Sequence, residues 1–197
     1  MCNTVADMIF LKKYFLSFGL VLLLITACNE SEIAPQHYMV ASFDESLFNR
    51  NDDFNALSQT LYDELNNTFT NPYYLALQNL PSMAVTTTSK ERALLDFDNY
   101  QWDAENPLLE SVWLEMFKAL SHTNLVINEL ENFYKGDRQA EKLLLEVRFI
   151  RVLYMFETAV MFGEVPMPIA PVFNIADLSS ISFIEGEALW DFMLGEL

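Results

Sequence analysis

Apolar residues recur at spacings of three and four over most of the chain after residue 50, which is the period of an α-helix. The first such stretch has a single apolar stripe, formed by four residues: Phe54, Leu57, Leu61 and Leu65. Asn51 is a suitable N-cap for this helix, and Asp52 and Asp53 suit the positive end of its dipole. The pattern predicts an amphipathic helix whose apolar face requires a partner.

Two long helices are predicted in the second half of the chain. Asn106 followed by Pro107 combines a capping side chain with proline at the first helical position. The stripe that follows is apolar apart from one asparagine and consists of Leu109, Val112, Trp113, Met116, Phe117, Leu120, Asn124, Ile127 and Leu130. Gly136 and Asp137 form a short turn, after which the helical period continues to about Phe162. Two long helices joined by a short turn are expected to lie antiparallel.

A further helix is predicted near the end of the chain. Residues 163–181 contain three prolines and are expected to form a loop. Ser182 and Glu185 have the spacing of a capping box, in which each side chain satisfies a free backbone N–H at the start of a helix. The apolar residues of this helix are Leu189, Trp190, Met193 and Leu194. Because the helical pattern still continues at Leu197, we expect that the chain is truncated.

Residues 70–106 lack a helical period and are rich in tyrosine, tryptophan, asparagine and aspartate. Long connections of this kind in compact domains are usually functional or disordered, and the many aromatic residues argue against disorder. We therefore predict a long irregular loop segment with a role in function. The helical stretches on either side of it and the scarcity of glycine predict a mainly α fold.

The beginning of the chain has the composition of a secretory signal peptide. Lys12 and Lys13 precede an uncharged, largely apolar run over residues 14–27. That run is shorter than the roughly 20 residues that a helix needs to cross a bilayer. The pattern predicts a signal peptide over residues 1–27.

The end of this run, Ile25-Thr26-Ala27-Cys28, resembles a bacterial lipobox, in which the cysteine is lipidated after the signal peptide is removed. A thiol is nucleophilic enough to form a thioether with a lipid. Several acyl chains hold a protein at a membrane far better than one chain does, so Cys28 predicts a stable lipid anchor. Residues 28–45 are polar and aperiodic and are predicted to be a lipidated tether, followed by a helical domain over residues 46–197.

The chain is strongly acidic, with a formal net charge of −17. It therefore lacks the lysine and arginine surface that nucleic acids require, and it would not bind an anionic membrane without a covalent lipid. Of the two cysteines, Cys2 would be removed with the signal peptide and Cys28 would be lipidated. The predicted mature protein has no disulfide, so its stability must come from packing.

The sequence contains no recognisable catalytic or metal-binding motif. There is no HExxH, CxxC or GxSxG pattern, and His37 and His122 lie in the tether and in a helix. Glycoside hydrolysis needs two carboxylates at a defined separation, and no spacing singles out such a pair. We predict a protein that is not an enzyme and that has no cofactor and no metal.

The two long predicted helices carry patterns that resemble those of the SusD/RagB family. WLEMFKALSHTNLVINEL, residues 113–130, is similar to the W-x3-Y-x2-I-x3-N-x2-I helix of that family. EVRFIRVLYMFETAVMFGEVPMP, residues 146–168, is similar to its AEARFLRALYYFDLVRLFGDVPL stretch. Family members are longer, so the resemblance covers only their N-terminal part.

The resemblance implies a lipoprotein of the Bacteroidetes outer membrane, exposed at the cell surface, whose fold is built on tetratricopeptide-like antiparallel helix pairs. It implies a protein that binds glycans or other nutrients and passes them to a SusC-like TonB-dependent transporter. Glu30 and Glu32, just after Cys28, are similar to the surface-export signal of such lipoproteins. A helical scaffold lipoprotein that only contacts other proteins, or a truncated fragment without function, is the alternative.

Sugar binding requires aromatic faces and polar groups close together, and residues 70–106 contain both. The candidate ligand-binding residues are Tyr73, Tyr74, Tyr100, Trp102 and Asn106. Trp102 and Asn106 precede the first motif helix, where family members often place such residues. Trp113 and Phe117 are an i, i+4 aromatic pair that we expect in the core, and Asn124 is expected to be a buried amide bonded to a neighbouring loop.

Overall fold

A computed structural model describes residues 54–163, 167–171 and 186–197. This part is mainly helical and contains no strand, which confirms the predicted fold class at that level. Its α-helices are α1 (Phe54–Phe69), α2 (Pro72–Asn79), α3 (Arg92–Asp98), α4 (Pro107–Phe133), α5 (Arg138–Phe162) and α6 (Glu187–Glu196). The predicted signal peptide, Cys28, the tether and the capping residues Asn51, Ser182 and Glu185 lie outside the described residues.

The bounds of the two long helices follow from their capping residues, as the sequence predicts. The Asn106 side chain accepts a hydrogen bond from the Leu108 N–H at 2.9 Å, with Pro107 in the first turn of α4. The Asp137 carboxylate accepts from the backbone N–H groups of the first turn of α5. Gly163, with φ of +77°, ends α5 in a conformation that residues with a side chain rarely adopt.

Helices α4 and α5 form an antiparallel pair, which confirms the prediction from their short connection. Three contacts show the direction, because the residue numbers fall on α4 as they rise on α5: Glu131 with Arg148, Asn124 with Arg151, and Trp113 with Phe162. The interface between them supplies most of the core, in which Met116, Phe117, Val147 and Met155 are fully buried. Burial of each such side chain is worth about 1.5–3 kcal/mol.

Helix α1 covers one side of this pair with its predicted stripe. Leu57 and Leu61 are buried in the main core, with Phe54 and Leu65 partly buried beside them. At the end of α1, the Phe69 ring stacks on Tyr154 of α5 with 5.6 Å between ring centroids. The partner that the amphipathic stripe requires is therefore the α4–α5 pair.

The prediction of a long irregular segment over residues 70–106 is wrong, because this segment contains α2, a short 3-10 turn (Leu80–Ser82) and α3. Asn71 caps α2 and Pro72 occupies its first position, so the same start signal as Asn106-Pro107 was present. Each helix has only two turns or so, which is too short for a period to stand out. The segment has its own small core, formed by Leu80, Ala93, Phe97 and Leu108.

Helix α6 begins at Glu187. Gly186 is its N-cap and has φ of +53°, which interrupts a right-handed helix at that residue. Leu189 and Met193 are buried against the main core, while Trp190 and Leu194 of the same helix are exposed.

Arg151 of α5 is buried and connects three helices and a loop. Its guanidinium donates to the Asn124 side-chain oxygen on α4 at 2.9 Å, to the Ile169 carbonyl at 3.4 Å, and to the Glu196 carboxylate on α6. The Asn124 amide in turn donates to the Pro168 carbonyl at 2.7 Å, which confirms the predicted bond from a buried amide to a neighbouring loop. The cation therefore fixes α6 and residues 167–171 on the helix pair.

We expect Glu196→Gln to destabilise the protein by about 3 kcal/mol, because it leaves the Arg151 charge buried without its counter-ion. The matched control is Glu131→Gln, which removes the more exposed partner of Arg148 and should cost less than about 1 kcal/mol. Urea unfolding at neutral pH measures both free energies of unfolding. Equal costs for the two variants would contradict the structural importance assigned to Arg151.

Candidate functional site

Two exposed aromatic side chains lie together at the end of α3. The Trp102 indole stacks on the buried Phe97 ring, with 4.7 Å between centroids and an interplanar angle of 9°. The Tyr100 ring lies 5.6 Å from the indole and is tilted by 41°. The Trp102 side chain is 37% exposed and Tyr100 is 51% exposed. We call Tyr100 and Trp102, supported by Phe97, the aromatic surface.

The backbone that presents this surface is held in an unusual conformation. Tyr100 has φ of +58°, a left-handed value that costs a residue with a side chain roughly 1–2 kcal/mol. Three hydrogen bonds hold the turn: the Tyr100 hydroxyl donates to the Pro81 carbonyl, the Tyr100 N–H donates to the Phe97 carbonyl at 3.3 Å, and the Gln101 N–H donates to the Asp96 carbonyl at 2.7 Å. Such strain persists only where surrounding structure enforces it, and it is common at functional sites.

Acidic side chains near the aromatic surface organise the neighbouring chain. The Asp98 carboxylate accepts from the Thr86 hydroxyl at 2.7 Å and from the Thr87 N–H at 3.3 Å, which fastens the segment before α3 to the end of that helix. Asp103 accepts from the Glu105 N–H at 3.0 Å. These contacts fix the chain on either side of Tyr100 and Trp102.

The five predicted ligand-binding residues divide into exposed and buried ones. Tyr73 is 36% exposed, and its hydroxyl lies 3.5 Å from a Glu91 carboxylate oxygen. Tyr74 is buried in the main core. Asn106 is buried as well, since its amide donates to the Ala93 carbonyl at 3.2 Å in addition to its capping bond. Tyr74 therefore belongs to the main core and Asn106 caps α4, so the ligand-contact prediction now depends on the exposed tyrosines and Trp102.

Burial changes the acidity of two tyrosines in the core. Removal from water raises the pKa of Tyr74, and the hydrogen bond that its hydroxyl donates to Glu157 at 2.9 Å raises it further. Removal from water also raises the pKa of Tyr154, whose hydroxyl lies 3.5 Å from the Thr68 hydroxyl. Both side chains therefore stay neutral in the folded protein well above neutral pH.

A groove of about 570 Å³ between α1 and α4, lined by both polar and apolar side chains, was not anticipated from the sequence. In it the His122 ring nitrogen lies 2.9 Å from a Glu64 carboxylate oxygen, and Lys118 and Glu115 line the same groove. The two partners are 58 positions apart, so no local motif brings them together. Among the described residues no group of three or more His, Cys, Asp or Glu side chains could hold a metal ion.

Comparisons with protein-family models, with curated proteins and with solved structures found no match to this chain. The resemblance to the SusD/RagB family therefore depends on the motif residues themselves. Within residues 54–163, 167–171 and 186–197, no helix is both long enough and apolar enough to cross a bilayer.

We expect the free energy of unfolding to fall as the pH rises above about 10, the ordinary pKa of tyrosine. Above this pH the unfolded chain has lost the Tyr154 proton while the folded protein keeps it. Each further pH unit therefore lowers the free energy of unfolding by up to about 1.4 kcal/mol. Tyr154→Phe removes this contribution and should flatten the alkaline decline. Urea unfolding between about pH 8 and 11 measures the slopes, with Tyr62→Phe, at an exposed tyrosine, as the matched control. A Tyr154→Phe slope equal to the wild-type slope would refute the assignment.

Proposed function

We propose that the protein is a surface-exposed lipoprotein of the SusD/RagB type in a bacterial outer membrane. In this proposal it binds a glycan or another nutrient and passes it to a partner SusC-like TonB-dependent transporter, without catalysis. The observation that carries the proposal is the aromatic surface, where Trp102 and Tyr100 are presented beside each other just before the helix with the first family-like motif.

The motif positions have contacts that fit a fold built on paired helices. Trp113 lies 4.3 Å from the Phe117 ring along α4 and 5.1 Å from the Phe162 ring of α5, measured between centroids. Asn124 and Arg151, one from each motif, bond to each other across the pair. These contacts give physical reasons for the residue types at the quoted positions and support tetratricopeptide-like pairing in the proposed fold.

The chemistry of the aromatic surface suits a sugar. A pyranose ring has an apolar face of C–H groups that packs on an aromatic ring, and its hydroxyls need acceptors and donors at the edge. Trp102 supplies the flat apolar area, and the Asp98 carboxylate, two residues before Tyr100, is a hydrogen-bond acceptor. Because the stack on Phe97 and the hydrogen bond of Tyr100 already fix the rings, little conformational entropy is lost when a ligand binds.

A helical scaffold lipoprotein is the second candidate. It is favoured by the large apolar side chains that α5 and α6 expose, among them Phe149, Phe156 and Leu194. Such exposed apolar area is typical of a surface that contacts another protein. The two candidates differ in whether Trp102 matters for a soluble ligand.

We expect Trp102→Ala to weaken the binding of oligosaccharides by roughly 30-fold, which corresponds to a loss of about 2 kcal/mol for an aromatic anchor. The measurement is isothermal titration of the purified protein with those members of a glycan panel that bind the wild type. Trp102→Phe keeps a ring on Phe97 and should retain more of the affinity than Trp102→Ala.

The matched control is Tyr62→Ala, which removes an exposed aromatic ring from α1, away from the aromatic surface. It should bind like the wild type. Unchanged affinity in Trp102→Ala would remove Trp102 from the site, and a protein that binds no member of the panel would favour the scaffold candidate.

The proposed anchor is tested at Cys28. Cys28→Ser should release the protein from the membrane fraction, because the hydroxyl cannot take the thioether-linked lipid that the lipobox-like residues predict. Fractionation of cells that express each form measures the release, and metabolic labelling with a fatty acid gives a second readout. A variant whose signal peptide is cleaved and which still stays in the membrane would disprove lipidation as the anchor.

A further inference from the structure

An apolar groove lies between α5 and α6 on the outside of the helix pair. Its volume is about 230 Å³, and every side chain that lines it is apolar. The lining residues used below are Phe149, Phe156, Trp190 and Leu194. Phe149 is 55% exposed and Leu194 is 70% exposed, so much of this area faces solvent. Contiguous exposed apolar area of this kind is uncommon on a protein surface without a partner.

The groove is preformed, because the same two helices are fixed on their inner faces. Leu189 and Met193 of α6 are buried in the main core, and Glu196 pairs with the buried Arg151. Across the groove the rings of Phe156 and Trp190 meet edge to face at 5.9 Å between centroids. A partner would therefore meet a rigid surface, which lowers the entropic cost of binding.

The apolar area continues along α5 beyond the groove. Leu145 and Val160 are also exposed, and with Phe149 and Phe156 they follow one another at spacings of four and seven. This places all four side chains on one face of the helix. The stripe spans about 22 Å at 1.5 Å per residue, the length of about four helical turns.

The exposed charges that α6 places beside the groove are negative, and Lys142 and Arg148, near the Leu145 end of the stripe, already pair with Glu146 and Glu131. Within residues 149–162 and 187–197 the only basic residue is Arg151, which is buried and paired with Glu196. Glu187 and Asp191 are exposed, and helical geometry places them along one edge of the stripe formed by Trp190 and Leu194. Since the whole chain has a net charge of −17, a second copy would bring like charges together, whereas a basic partner would be attracted.

We propose that this groove binds an amphipathic helix of a partner protein that has lysine or arginine beside its apolar stripe. Apolar residues at positions i, i+3 or i+4 and i+7 would enter the groove, as in other helix-in-groove complexes. The basic residues would lie near Glu187 and Asp191 and would select this partner over acidic helices. The inference does not depend on nutrient binding at the aromatic surface.

The test uses the purified full chain and two labelled peptides of about four helical turns. Both have the same leucine stripe, one with lysine and the other with glutamate beside it. Fluorescence anisotropy should show that the lysine peptide binds at least 10-fold more tightly, and that added salt reduces the difference. Equal affinities, or no binding of either peptide, would overturn the proposal.

Two variants locate the binding site. Leu194→Ser and Phe149→Ser should each lower the affinity for the lysine peptide at least 10-fold. Because both side chains are well exposed, the fold should tolerate either change. Phe133→Ser is the matched control, since Phe133 is 72% exposed at the end of α4 and does not line the groove; it should bind like the wild type. Unchanged binding in both groove variants, or an equal loss of binding in the control, would overturn the proposal.

Two further measurements decide between occupants. Without peptide, sedimentation should show the same association state for the wild type and for Leu194→Ser. Neutral phosphatidylcholine vesicles should not bind the unlipidated chain through the groove. Self-association that requires Leu194 would instead identify a second copy of the chain as the occupant of the groove. Vesicle binding that depends on the groove would identify a lipid surface as its occupant.

Discussion

The buried guanidinium of Arg151 is the interaction on which the arrangement of the second half of the chain depends. A buried cation is costly unless an opposite charge and hydrogen-bond acceptors offset its loss of hydration. Here Glu196 supplies the opposite charge, and the Asn124 side chain and the Ile169 carbonyl are acceptors. The Phe192 ring lies 5.5 Å from the same guanidinium and adds a favourable contact with its face. Because these partners belong to different elements, any shift of one element leaves a charge or a polar group unsatisfied, and the packing of α4, α5 and α6 is thereby restricted.

The same constraint explains why two arginines three positions apart have different roles. Arg148 pairs near the surface with Glu131, where water screens the interaction and its contribution to stability is small. Arg151 points into the core and organises a loop, two helices and a ring. The family-like stretch over residues 146–168 therefore contains one arginine in a solvent-facing ion pair and one in the core. The contact between Asn124 and Arg151 gives a physical reason for the residue types at these two positions, in support of the proposed relationship to a family of paired-helix proteins.

The long helices could be predicted from the sequence because their signals are local: Asn106-Pro107 starts α4, Asp137 caps α5 and Gly163 ends it. Helices α2 and α3 were missed because two turns do not establish a period.

The exposure of the candidate site residues was harder to predict than the helices. Tyr73 and Tyr74 are neighbours, yet one is exposed and the other buried, since adjacent helical residues point about 100° apart and only tertiary packing decides which faces inward. The stack of Trp102 on Phe97 accompanies a left-handed Tyr100, which no sequence rule gives.

The link between Arg151 and Glu196 also orders events in time. A ribosome releases Arg151 well before Glu196, which follows it by 45 positions. Until then the α4–α5 hairpin must keep its cation hydrated, so its inner end stays open to water even if the two helices have met. Compensation of the Arg151 charge in this region therefore requires α6.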